Sequence, residues 1–211
     1  MFEKVNQKYR WKELTKYVLD NLKNDKTGHD YQHIMRVMNN AMLISEGLSV
    51  NYDILLASIL LHDISYKDKP SKTHHIESAD IASSLLLEYG FEEDIIGSIH
   101  HAIINHNRSF NPYDEVEKMS LEAKILCDAD TLDALGAIGL IRMISFSTNQ
   151  GVPYFESTED PVDTSFYGNI KFLEQMKENL ILDSSKKLAE ERMKIIYDFL
   201  KQMECECDGA K

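Results

Sequence analysis

Apolar residues recur at helical spacing along most of the chain, which contains nine glycines and four prolines. One amphipathic helix, expected to stop near Gly47, shows the i, i+3, i+4, i+7 pattern at Ile34, Val37, Met38, Ala41 and Ser45. Asp53 is placed to cap a second helix, whose body at 54–61 is apolar on nearly every side and should therefore be buried. The pattern predicts an all-α protein with this second helix at its centre.

Three further helices are predicted downstream. The third covers 73–89 and stops at Gly90, and the fourth carries apolar residues at Ile95, Ile96, Ile99, Ala102 and Ile103. Ser120 is placed to cap the fifth, which we expect to continue through Gly136 to Gly139. Its small residues would let another helix approach closely, and helices rich in Ala and Gly would permit a homodimer.

The helical pattern breaks between 147 and 168, where Asn, Gly, Pro, Ser and Asp are frequent. We expect a long loop there, either a packed Ω-loop or a substrate lid. A last pair of helices is predicted at 170–181 and 184–203. The length of 211 residues, 43% of them hydrophobic, predicts one domain spanning 1–211.

The charge balance limits the classes of partner. Lys and Arg number 23 and Asp and Glu number 35, so the formal net charge is −12. No block rich in Lys or Arg is present in the sequence, which disfavours binding of bulk nucleic acid. The same negative field would repel a phosphorylated substrate unless a metal ion or a group of cations reverses it locally. A phosphorylated substrate would therefore require a metal.

Cysteine use and the chain start indicate the compartment. Three cysteines, Cys127, Cys205 and Cys207, do not suggest a disulfide framework and fit a reducing environment. The charged stretch 1–14 has no apolar signal core, and the apolar run 54–61 is too short to span a bilayer. We expect a cytoplasmic protein with no membrane partner, in which Cys205 and Cys207 belong to a frayed, solvated tail.

Four polar residues lie where apolar neighbours make burial costly. His62 and Asp63 directly follow the most apolar helix, and on a helix two consecutive side chains point about 100° apart, so they can converge on one ion. The ordinary alternative is a histidine that ends the helix beside an aspartate that starts a turn. Asp130 and Asp133 share one face of the fifth helix. For Asp133 we favour a hydrogen bond to a neighbouring backbone amide over direct metal binding.

His33 lies at the start of the first amphipathic helix, where a satisfied core-edge histidine is the alternative. The order His33, His62-Asp63, Asp130 along an all-α chain resembles the signature of the HD-domain superfamily of metal-dependent phosphohydrolases, in particular a bacterial subgroup of small single-domain hydrolases. The segments that carry the resemblance are Gly-His-Asp-Tyr-Gln-His33-Ile-Met-Arg36-Val37, Leu-Leu-His62-Asp63-Ile, His75-Ile-Glu-Ser-Ala79, Ile103-Ile-Asn-His106 and Asp128-Ala-Asp130-Thr-Leu-Asp133-Ala-Leu-Gly-Ala-Ile-Gly139. The resemblance spans 28–145 and implies a compact multi-helix bundle on which the helices of 170–203 pack.

The resemblance implies that one divalent metal ion is bound by His33, His62, Asp63 and Asp130. Two imidazoles and two carboxylates suit Mn, Fe, Co, Ni, Zn or Mg. Such an ion polarises a phosphoryl oxygen and lowers the pKa of the attacking water, whose proton Asp63 or Asp130 could take.

In HD proteins with two metals, histidines of the following helices complete the second site. The candidates here are His74, His75, His100, His101 and His106. The Gly-Tyr-Pro tract of the best-known two-metal branch is absent from the sequence, so we expect one ion.

Further site residues are assigned from position and charge. His106 projects from the apolar face of the fourth helix and is either a hydrogen-bonded core residue or a catalytic group that holds substrate or acts as general acid. Of the adjacent histidine pairs we favour His75 as a catalytic group and His101 as a substrate-binding group. Cations that could offset phosphate charge are Arg36, Lys67, Lys69 and Arg142.

One position departs from the subgroup pattern. Thr131 stands where Asp-Ala-Asp-Arg-Leu-Asp-Ala has its arginine, so the substrate or the rate should differ if that arginine contacts substrate. The function implied is hydrolysis of a nucleoside or deoxynucleoside triphosphate to monophosphate and pyrophosphate. The same ion and water would serve a nucleoside monophosphate phosphatase or a cyclic-nucleotide phosphodiesterase. A non-catalytic nucleotide-binding or structural helical module is the alternative of a different class.

Overall fold

The computed structural model describes residues 2–22, 29–65, 73–107, 116–151, 166–207 and 209. The described residues form nine α-helices and contain no β-strand, which confirms the all-α prediction. The helices are α1 (Phe2–Leu22), α2 (Tyr31–Ile44), α3 (Tyr52–Leu61), α4 (His74–Glu88), α5 (Glu93–Ile104), α6 (Leu121–Asp133), α7 (Gly136–Gln150), α8 (Phe166–Glu178) and α9 (Asp183–Cys207). They fall into two compact units, Met1–Ala129 and Asp130–Lys211.

Helix α3 is the centre of the first unit, as its apolar sequence predicts. It packs against α1, α2, α4 and α5 and is buried along nearly its whole length. Its N-cap is Asn51, whose side-chain oxygen accepts hydrogen bonds from the amides of Asp53 at 3.1 Å and Ile54 at 3.4 Å. The prediction that Asp53 is the cap was therefore wrong, because a residue two positions earlier already satisfies the free amides of the first turn.

Helix α5 ends at Ile104, so His106 lies beyond the helix rather than on it. The amide of His106 donates to the carbonyl of Ile103 at 3.3 Å, and this turn keeps the side chain buried. The expectation that His106 points to the core is confirmed, although the turn and not the helix directs it there.

Helix α6 begins as predicted, since the Ser120 hydroxyl accepts a hydrogen bond from the amide of Ala123 at 3.1 Å. It does not continue to Gly139. Leu135 is extended, with φ −110° and ψ 159°, and Gly136 has φ +76°, which only glycine adopts readily. Ala134 and Leu135 therefore separate α6 from α7, which begins at Gly136.

The second unit is built from α7, α8 and α9, with α9 packed against both other helices. Its buried apolar residues include Met143, Ile170, Leu173, Ala189, Met193 and Ile196. Helix α7 continues to Gln150 and α8 starts at Phe166, so both ends of the predicted 147–168 loop are helical, and 152–165 lies outside the described residues.

Helix α9 extends to Cys207, where a frayed tail was expected. The side chain of Gln202 donates to Glu206 at 2.8 Å, one turn later, and no Gly or Pro interrupts the helix before Gly209. None of the described helices combines the length and apolar character needed to cross a membrane.

Candidate metal centre

Asp63 lies at the centre of a buried cluster of imidazoles in the first unit, and its side chain is 4% exposed. Three Nε2 atoms approach its Oδ2 atom, those of His62 at 3.3 Å, His33 at 3.5 Å and His29 at 3.9 Å. Two more approach its Oδ1 atom, those of His74 at 3.6 Å and His106 at 3.8 Å. The two oxygens of one carboxylate therefore face two different groups of histidines.

The Oδ2 side is positioned by the ends of two helices. Asp30 is the N-cap of α2, and its side chain accepts a hydrogen bond from the amide of His33 at 2.9 Å, which fixes the first turn that carries this imidazole. His62 is the C-cap of α3, and Asp63 follows in the turn closed by the amide of Ile64. His62 and Asp63 thus lie in the turn that directly follows the apolar helix α3.

The Oδ1 side comes from α4 and from the turn after α5. His74 is the first residue of α4, and its Nε2 atom also lies 3.4 Å from the side-chain amide of Asn107. The rings of His74 and His106 contact each other edge to face, with centroids 5.3 Å apart.

The tautomers of two rings follow from backbone contacts. His62 Nδ1 lies 2.8 Å from the carbonyl oxygen of Ile59, and His106 Nδ1 lies 2.6 Å from that of Ile103. A carbonyl oxygen only accepts, so both Nδ1 atoms carry the proton. In both rings Nε2 is therefore the atom that faces Asp63, and it carries a lone pair when the ring is neutral and a second proton when the ring is charged.

Burial raises the pKa of Asp63, but the charge of His62, hydrogen bonds from His33 and His62, and the charge of His29 outweigh it and hold the pKa well below its usual range. Asp63 is therefore ionised at neutral pH. A carboxylate facing imidazole lone pairs needs a positive charge between the atoms, which a proton or a metal ion can supply.

The donor set fits a divalent metal ion. The ligand atoms of His62, Asp63 and His106 all lie within 4.8 Å of one another, and all three residues are buried. Imidazole nitrogen together with carboxylate oxygen suits first-row transition metals. His33 adds a further nitrogen, since its Nε2 lies 3.3 Å from that of His62.

Asp130 is the first residue of the second unit and directly follows Ala129 in α6. Within the first unit, the carbonyl of Ala129 accepts a hydrogen bond at 2.9 Å from the side chain of Asn40, a buried residue of α2. Helix α2 thus contains His33 and, through Asn40, is hydrogen-bonded to Ala129, the residue that precedes Asp130.

The adjacent histidine pairs separate clearly. His74 lies beside Asp63, whereas the ring of His75 contacts that of His74 with centroids 5.7 Å apart. His101 accepts a hydrogen bond at Nε2 from the amide of Ser120 at 3.2 Å, at the start of α6. His100 pairs with the exposed Asp80 at 3.5 Å on the surface of the first unit.

The predicted cations have different surroundings. Arg142 Nη1 lies 2.6 Å from Asp133 Oδ2, an ion pair that the sequence spacing did not predict. Arg36 lies half-buried on α2, one turn after His33. Lys67 and Lys69 lie outside the described residues.

Sequence reasoning missed two contributors. His29 lies beside Asp63 and is 20% exposed, more than the other four imidazoles around that carboxylate. Its position four residues before His33, in the Gly-His-Asp segment, was a usable signal. Asn40 was signalled by its place on the apolar face of α2, seven residues after His33.

Comparison with known proteins agrees with this geometry. The HD domain family matches residues 30–135, half of the chain. YpgQ of Bacillus subtilis (strain 168), a protein named as uncharacterized, is 26% identical over 190 residues, which are 89% of each protein.

Solved structures are similar over nearly the whole chain. The crystal structure of Bacillus subtilis YpgQ in complex with ADP has a TM-score of 0.74 at 25% identity and covers 95% of this chain and 96% of that one. An HD-superfamily hydrolase from Bacillus thuringiensis has a TM-score of 0.73 at 27% identity, with coverage of 96% and 98%. With the histidines and Asp63 in place and the family matched over half of its length, this chain belongs to the HD-domain phosphohydrolase superfamily.

Proposed function

We propose that this protein is a metal-dependent phosphohydrolase that cleaves a nucleoside or deoxynucleoside triphosphate to monophosphate and pyrophosphate. The observation that carries the proposal is the buried carboxylate of Asp63, on which the Nε2 atoms of His62 and His106 converge while their Nδ1 atoms donate to backbone carbonyls. A buried arrangement of this kind binds a cation, and the overall charge of −12 makes a cation necessary for a phosphorylated substrate.

His33, His62, Asp63 and Asp130 are the proposed ligands of one divalent ion. For Asp130, the support is its place directly after Ala129, which Asn40 ties to α2. When bound, the ion supplies Lewis-acid activation of a phosphoryl oxygen and a lowered pKa for the attacking water.

The remaining groups around Asp63 are proposed to handle protons. Asp63 Oδ1 faces away from the proposed metal ligands His33 and His62, and it is the oxygen on which a proton of the attacking water would be taken up. His106 holds its Nδ1 proton on Ile103, so it exchanges protons at Nε2, the atom that faces Asp63. His106 is therefore the proposed general acid for the leaving group, and His74 takes the supporting place that the sequence had suggested for His75.

A nucleotide is the proposed substrate class because the related YpgQ was crystallised in complex with ADP. Arg36, one turn from His33 on α2, is the proposed phosphate-binding cation. The rival activities, a monophosphate phosphatase and a cyclic-nucleotide phosphodiesterase, would use the same ion and water and differ in the bond cleaved.

The test combines metal analysis with a product screen. Wild type, His62→Ala, Asp63→Ala and the surface control His100→Ala are purified, their metal content is measured, and each is assayed on triphosphates, monophosphates and cyclic nucleotides with Mn, Co, Ni and Mg. We expect one bound ion and pyrophosphate release for wild type and His100→Ala, and neither for the two site variants. Two ions per chain would instead place a second ion at the Oδ1 side of Asp63. An absence of metal and turnover in wild type would leave a non-catalytic helical module.

A further inference from the structure

We propose that Arg192 of α9 is a positioning residue for the last turn of α6, the turn that carries Asp130, and that it thereby sets the metal affinity of the centre. The inference rests on the proposed function in that Asp130 is taken as a metal ligand. Arg192 belongs to the second unit, like Asp130, and follows it by 62 positions in the chain.

The first observation is a hydrogen bond to the end of α6. Arg192 Nη1 donates to the carbonyl oxygen of Leu132, which also accepts the amide of Leu135 at 3.2 Å. Leu132 is two residues after Asp130, and its carbonyl is one of the four at the helix end that have no partner within the helix. A side-chain cation at this position satisfies the carbonyl and interacts favourably with the helix dipole.

The second observation is the charge of Asp133, which follows Asp130 by one helical turn. Its side chain is 2% exposed and pairs with Arg142 of α7 at 2.6 Å. The same carboxylate stabilises the charged form of Arg192, although burial of the guanidinium outweighs this and lowers the pKa of Arg192 from its usual value. Two arginines thus contact or interact with the last turn of α6. Arg142 forms an ion pair with Asp133, and Arg192 donates to the carbonyl of Leu132 and is attracted by the charge of Asp133.

The third observation fixes the stem of the arginine. A Cβ atom on Gly136 would lie 3.1 Å from Arg192 Cβ and 3.2 Å from Arg192 Cγ, closer than ordinary packing distances. The turn after α6 therefore passes directly against the aliphatic part of Arg192. Contact along the stem and a hydrogen bond at the tip together hold the side chain in one orientation.

A role limited to stability would make Arg192 equivalent to any buried residue of α9. Ile196, one turn later on α9, is fully buried and provides the matched control. Arg192→Met keeps most of the stem and removes every hydrogen-bond donor, and Arg192→Lys keeps the charge and loses the planar fork.

The experiment measures Mn²⁺ affinity by titration calorimetry on the full chain after metal removal, together with the thermal midpoint and amide hydrogen exchange at Ala134 and Leu135. We expect Arg192→Met to weaken Mn²⁺ binding by about 10-fold or more, the range typical of groups that orient metal ligands, and to lose protection at both amides. Arg192→Lys should recover part of the affinity. Ile196→Ala should lower the midpoint at least as much while its affinity stays within about twofold of wild type, since an isoleucine side chain makes no hydrogen bond to the end of α6.

An unchanged affinity in Arg192→Met, or an equal loss in Ile196→Ala, would overturn the positioning role. If Arg192→Met does not fold, Arg192→Lys decides, because the role requires it to bind Mn²⁺ at least about threefold more weakly than wild type. Mn²⁺ binding by wild type without pyrophosphate release would overturn the proposed reaction and leave the role of Arg192 standing. Wild type that binds no Mn²⁺ would overturn both.

Discussion

His62 donates a hydrogen bond from Nδ1 to the carbonyl oxygen of Ile59, 2.8 Å away on the preceding turn of α3. This bond selects the tautomer of the ring and turns its other nitrogen to Asp63, 3.3 Å away. The backbone of the buried apolar helix α3 therefore orients the imidazole of His62, a proposed metal ligand.

Replacement of Asp63 by Asn should remove the charge of the centre while keeping its shape. We expect Asp63→Asn to weaken Mn²⁺ binding by more than about 100-fold, beyond the effect of groups that only orient ligands, and to abolish turnover. Titration calorimetry and product assays check this. Asp198→Asn, which neutralises an exposed carboxylate of α9, is the control and should behave as wild type.

Acid should destabilise the metal-free protein through Asp63. Its pKa in the folded state is held below the unfolded value, so the ionised carboxylate contributes stability above about pH 4, and this contribution is lost as the pH falls through the folded pKa. Each unit of depression corresponds to about 1.4 kcal/mol. Urea unfolding between pH 2 and 6 should show a shallower acid limb for Asp63→Asn than for wild type, and identical limbs would contradict the assignment.

His74 and His75 should differ although they are neighbours. Because His74 lies 3.6 Å from Asp63, we expect His74→Ala to lower kcat by about 100-fold, at the lower end of general acid–base contributions. His75→Ala should stay within about threefold of wild type, a change of less than about 1 kcal/mol. Steady-state kinetics with Mn²⁺ in excess measure both values of kcat. A larger loss of kcat in His75→Ala than in His74→Ala would instead favour His75 as the catalytic group.

Asn40 should stabilise the contact between α2 and α6. Asn40→Ala leaves the buried carbonyl of Ala129 without its side-chain donor, which costs about 1–3 kcal/mol of unfolding free energy. Asn39→Ala, at the exposed neighbouring position of the same helix, is the matched control and should change stability by less than about 0.5 kcal/mol. Denaturant unfolding of both variants tests this, and equal losses would rule out the buried bond as the cause.

Two glycines should respond to alanine with opposite signs. Gly136→Ala combines a φ of +76° with a close contact to Arg192, and we expect a loss of at least about 1–2 kcal/mol. Gly97 lies within α5 with open space around its Cβ position, so Gly97→Ala should stabilise by about 0.5–1 kcal/mol. The midpoints of thermal unfolding test this, because Gly136→Ala should lower the midpoint and Gly97→Ala should raise it.

The sequence pattern predicted most of the helices because apolar periodicity reports burial directly, and α3 is the clearest case. It failed where one or two residues decide the backbone. Asn51 and Asp53 are both good caps, and only the position of the first turn distinguishes them. Between α6 and α7, the small residues suggest one continuous helix, yet α6 ends at Asp133, Leu135 is extended and α7 begins at the left-handed Gly136.

Prediction of the site had a similar limit. The order of His33, His62-Asp63 and Asp130 could be read from the chain because a family signature carries it. The choice between His74 and His75 could not, since it depends on the residue at which α4 begins, and no apolar pattern marks that start. His29 precedes the cap of α2, where helical periodicity does not apply.

The five imidazoles around Asp63 come from four separate stretches of chain, namely the start of α2, the end of α3, the start of α4 and the turn after α5. Such a centre depends on contacts between residues far apart in sequence, which form late because each closes a long loop. Because the complete set of nitrogens exists only after the first unit has folded, we expect the proposed ion to bind after folding rather than to nucleate it.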